Sequence, residues 1–102
     1  MFDVDTGAVR HLAAELTERA AQIRELATDL ARHVADVPWQ GAAADAMRTH
    51  TEGRLGTLRH AADLHDDAGE ALTQHADAVV AAATFVAGLA DTVVDHTLGL
   101  LR

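Results

Sequence analysis

The sequence predicts an all-α protein, an antiparallel two-helix hairpin folded at a Trp-x-Gly bend. Three observations predict it. Apolar residues recur at helical spacing on both sides of one interruption. That interruption, Asp36-Val37-Pro38-Trp39-Gln40-Gly41, holds the chain's only Pro and only Trp. Half the 102 residues are apolar yet only 3% are aromatic, so alanine supplies much of the apolar surface. Alanine buries little area at ~25 cal/mol per Å², and a hairpin encloses no interior. The sequence therefore predicts one domain over 1–102 whose apolar stripe needs a second chain to cover it.

The first helix is predicted over about 5–35. Asp3, Asp5 and Thr6 are all suited to cap its start, where acids meet the positive end of the helix dipole. With heptad positions lettered a to g and Val9 at a, the a series is Val9, Leu16, Ile23, Leu30 and Val37. Position d adds Leu12 and Leu26, and e holds Ala13, Ala20, Ala27 and Val34. Charged and polar residues such as Arg10, Glu18, Arg24 and Arg32 take b, c, f and g, leaving an apolar stripe on a charged cylinder. Arg19 and His33 at d narrow that stripe. Glu15 and Arg19 have the favoured i,i+4 order for a surface pair.

The bend is predicted over 36–41. Pro38 cannot continue a helix and pushes Val37 out of the α region. Gly41 supplies the backbone freedom to enter the next helix. An indole stands at the tip.

The second helix is predicted over about 42–100, starting with the strong formers Ala42-Ala43-Ala44. With Ala44 at a, the a series includes Leu58, His65, Leu72, Val79, Val86, Val93 and Leu100. Small residues dominate position e (Ala62, Gly69, Ala76, Ala83, Ala90), which lets a neighbouring helix come close. Gly53 with Gly56, and Gly88, predict weak points at which this long helix kinks. The first helix is about half as long, so the second overhangs it. The overhang is apolar from Ala78 to Ala90, shorter than the ~20 residues that span a bilayer and followed by Asp91 and Asp95. Such a patch more often marks an interaction site than a membrane span.

The formal net charge of −8 argues against nucleic acid, whose phosphates demand a basic face. Cysteine and tyrosine are absent, so thiol chemistry is excluded. Acids at Asp3 and Asp5 and the lack of an apolar h-region predict synthesis without a signal peptide. Seven histidines, His11, His33, His50, His60, His65, His75 and His96, form no i,i+4 pair and no zinc motif. No metal, cofactor or catalytic residue is expected. No nucleophile motif or phosphate loop is present, and an open hairpin offers no water-excluding cleft, so an enzyme is not expected.

Trp39-Gln40-Gly41 between two amphipathic helices, in a chain of this length, resembles the WXG family of type VII secretion substrates. Ala42-Ala43-Ala44-Asp45-Ala46-Met47 is similar to the small-residue start of that family's second helix. Phe2-Asp3-Val4-Asp5-Thr6 resembles the opening of actinobacterial secretion-associated relatives. The resemblance covers about Val4 to Val80 and implies a hairpin that dimerises into a four-helix bundle. It implies that the indole packs near a partner's helix ends, and that the protein is exported by a dedicated membrane machinery to the cell surface or beyond. Trp39 and Gly41 carry over by position. The family's export signal adds a Tyr-x-x-x-Asp/Glu element after the second helix. Here Phe85 is the late aromatic and Leu89 stands in the acid's place. Two readings stay open: a partner supplies the signal, or the protein serves as a cytosolic adaptor or chaperone subunit for a larger effector. The expected partner is a second copy or another small WXG-like protein. The expected partner-facing residues are Val9, Leu12, Leu16, Ile23, Leu26, Leu30, Leu58, Leu72 and Val79. A membrane-active protein that uses residues 78–90 is the reading from a different class.

Overall fold

The computed structural model describes residues 5–101. Asp3 as a cap, and Phe2 to Val4 in the resemblance, lie outside the described residues. Two helices, α1 (Thr6–Asp36) and α2 (Ala42–Leu100), account for nearly all of it. Asp5 caps α1, its Oδ1 accepting the Ala8 N–H at 3.0 Å. This satisfies one of the donors that every helix start leaves open.

The chain leaves α1 through an extended Val37 and enters α2 through Gly41. Gly41 has φ 108°, the left-handed side that a Cβ disfavours. The helices then run antiparallel. Arg10 Nη2 meets Asp77 Oδ1 at 2.7 Å, and Arg24 meets Asp63 at 2.7 Å and Asp66 at 2.6 Å. The two Asp63 and Asp66 hydrogen bonds hold the Arg24 guanidinium above its ordinary pKa. Glu15 pairs with His11 at 3.1 Å rather than with Arg19.

Where the helices touch, the buried residues are small except for Leu55. Ala13, Ala20 and Ala27 of α1 meet Leu55, Ala62, Gly69 and Ala76 of α2, with Ala44 beside the bend. Apart from Ala44, all stand at position e of their heptads. A Cβ added at Gly69 would lie 3.0 Å from the Ala13 carbonyl oxygen and 3.0 Å from Thr17 Oγ1. A side chain there would force α1 to give by a few tenths of an ångström, which glycine avoids. No large side chain among the described residues is fully buried.

The expected kink in α2 is not found. The helix is unbroken from Ala42 to Leu100, and the molecule is 92 × 16 × 16 Å, close to the ~1.5 Å rise per residue of a straight helix. The physical reason is local. Gly53, Gly56 and Gly88 have nothing within 4 Å of an added Cβ, so no neighbour wedges the helix open. A glycine's ~1 kcal/mol propensity cost is spread over a long cooperative element.

Candidate interaction surface

In an antiparallel pair whose seam runs through e, positions a and d of both helices fall on one side. Positions b and f fall on the other. The two sides of this hairpin differ in chemistry. Every interhelix ion pair among the described residues joins b and f positions: Arg10, Arg24, Asp63, Asp66 and Asp77. The opposite side carries the larger aliphatics, interrupted by Arg19, His33, Arg54, His65 and His75.

All nine partner-facing residues expected from the sequence stand at a or d, and so share that side. Val9, Leu16, Ile23, Leu58, Leu72 and Val79 are half-buried along the edge of the seam. Leu12, Leu26 and Leu30 are exposed, Leu26 at 65%. The hairpin therefore seals its small-residue seam by itself and leaves the larger aliphatics beside it partly in water. His65 interrupts the row, half-buried, its Nδ1 donating to the Ala61 carbonyl at 2.7 Å. Arg19, Gln22, Ile23 and Leu26 line a shallow concavity with it.

The bend is held from an unexpected direction. Arg48 Nη2 donates to the Trp39 carbonyl at 2.6 Å and to the Val37 carbonyl at 3.2 Å. Its Nη1 lies 3.6 Å from Asp45 Oδ1. One guanidinium thus satisfies carbonyls that neither helix can reach. Trp39 itself is 57% exposed, so more than half of its surface faces solvent. The loop's backbone is tied down while its one aromatic side chain projects. Sequence reading missed Arg48. An arginine shortly after a bend is common, and only its reach back to the carbonyls marks this one.

No protein-family model, curated protein or solved structure matches this chain. The surface must be read from its own residues.

Past Val79, no residue of α2 is even half-buried. Fourteen large apolar side chains of the described chain are exposed, and nine of them lie between Val80 and Leu101. This overhang, rather than the hairpin, carries most of the uncovered apolar surface. By length and composition α2 contains one stretch able to cross a membrane, none of it buried. Among the described residues, no three His, Asp or Glu side chains come together where a metal ion could be held.

Proposed function

We propose that the protein is a small WXG-like interaction subunit that pairs through its hairpin with a second copy or another small helical protein. It is made in the cytoplasm and is exported, or helps export a partner, through a type VII secretion system. The supporting observation is the one-sided hairpin. Its ion-paired side is complete within one chain, while the side bearing Leu12, Leu26 and Leu30 is not. Half-buried aliphatics in line with exposed ones are what a second hairpin would cover to make a four-helix bundle. The export reading rests on the Trp-x-Gly bend, supported by the tethered backbone and projecting indole. Burying Trp39 against the ends of a partner's helices would add a large apolar area at one point.

Leu26→Glu places a charge in the middle of the proposed face without touching the seam. At micromolar concentration it is expected to lower the mass of the assembly at least twofold relative to the unsubstituted protein, read by light scattering after gel filtration, with helix content unchanged by circular dichroism. Trp39→Ala is expected to weaken the same pairing about tenfold or more, consistent with an aromatic anchor worth over 1 kcal/mol. An assembly mass that neither substitution lowers would remove this face from the account.

The acidic chain offers little to anionic lipid. Surface-lying helices use Lys and Arg on their polar side, and residues 80–101 contain neither. Membrane action is accordingly the second reading, supported only by the length and composition of the overhang.

A further inference from the structure

The overhang changes its pattern at the point where α1 ends. Along the hairpin, position b of α2 is polar: Asp45, Glu52, Arg59, Asp66 and Thr73. From Val80 onward the same position reads Val80, Ala87, Val94 and Leu101. Position a stays apolar with Val86, Val93 and Leu100, and e stays small with Ala83, Ala90 and Thr97. The apolar arc thus becomes centred on e and bracketed by b and a. Asp91, Asp95, Thr84 and Thr92 all fall at c, f or g, outside this arc. Phe85, Leu89 and Leu98 are the large apolar residues that fall outside it. A row of residues from Val79 to Ala90 forms a shallow apolar groove along this face.

Such a helix is built for one neighbour lying over e, in line with α1 and beyond its start. It is not built for lipid on all sides, which would meet both carboxylates. It also differs from the hairpin's apolar side, which faces a and d.

We infer that the overhang of a second copy lies antiparallel across Val80–Leu101, taking up the line of α1 where α1 stops. Several features favour this occupant. The seam is continuous with the one inside the hairpin, using the same heptad position and the same small residues. An overhang is antiparallel to its mate under two-fold symmetry, as α1 is to α2, and the same patch serves both copies. The two are equal in length, about 33 Å at ~1.5 Å per residue, so each covers the other completely. The e-position register closest to full overlap puts Ala90 on the two-fold axis, opposite its own copy, and Ala83 opposite Thr97. Asp91 and Asp95 then point outward and do not meet across the joint. The assembly is a rod of about 150 Å, two 92 Å molecules sharing their overhangs. The joint does not depend on the hairpin pairing or the export route proposed above.

The chain has no cysteine, so a single introduced thiol reports proximity. Ala90→Cys is expected to form a disulfide-linked dimer rapidly under mild oxidation. Gln74→Cys, on the outer side of the hairpin, is expected to remain monomeric on a denaturing gel. With the hairpin face silenced by Leu26→Glu, the protein should still run at twice its 10.8 kDa mass and give a maximum dimension near 150 Å by small-angle scattering. Adding Ala90→Glu to that variant should return it to the monomer mass with its helix content intact. Equal cross-linking at residues 74 and 90 would overturn the joint. So would a monomeric Leu26→Glu protein, a dimer no longer than a single molecule, or a chain that floats with phosphatidylcholine vesicles in place of cross-linking.

Discussion

Gly69→Leu is expected to lower the stability of the hairpin by about 1–3 kcal/mol, the usual cost of forcing extra volume into a filled seam. The space is closed on the far side by backbone. The Ala13 carbonyl oxygen sits 3.0 Å from where a Cβ would be, and it belongs to a helix that cannot yield alone. Gly69→Ala should also destabilise, although alanine is the better helix former. Gly53→Ala, Gly56→Ala and Gly88→Ala supply the contrast. With open space around each, they should stabilise by up to ~1 kcal/mol through propensity. Urea unfolding followed by circular dichroism, at one fixed protein concentration, reads all of these as midpoint shifts. A Gly69→Leu protein with an unmoved midpoint would mean that the helices do not come this close.

Arg48→Met should release the bend. The substitution keeps the aliphatic stem and removes the donors that hold the Val37 and Trp39 carbonyls. Hydrogen bonds from a charged donor contribute ~1.5–3 kcal/mol when sheltered, and partial exposure brings the expected loss nearer to about 1 kcal/mol. The clearer effect is on motion. Trp39 is the only tryptophan, so fluorescence anisotropy reports the bend directly. Anisotropy should fall while helix content stays the same. Pairing through Trp39 should weaken in step, because an indole on a loose loop loses more freedom on docking. An unchanged anisotropy would show that Pro38 and Gly41 hold the loop unaided.

Much of this architecture is legible in the residues. The period of Val9, Leu16, Ile23 and Leu30, the break at Pro38 and the alanines after Gly41 place both helices within a residue of their observed ends. The mismatch in their lengths foretells the overhang. Three things are harder to see. A list of alanines and a glycine at e says that helices come close, but not that this row is sealed inside one chain while the leucines are left at its edge. Volume decides that, because the narrowest row permits the tightest contact. The kink expected at the glycines reflects propensity alone, and nothing packs there to exploit it. Arg48 acts over a distance in sequence that no periodicity encodes. Its role depends on where the bend carbonyls point.

The ladder of small residues has one further effect. Its rungs repeat every seven positions, so sliding one helix past the other by a heptad, about 10 Å, would set alanine against alanine along part of the seam, opposed within it only by the bulk of Leu55 and by the close approach that Gly69 allows. The short link from Val37 to Gly41 forbids that slippage, and the grip of Arg24 on Asp63 and Asp66 reinforces the phase. Two overhangs have no covalent link to keep them in step. Between them, alignment must come from the bulkier valines and leucines beside the ladder and from the point at which each tip runs into its neighbour's hairpin.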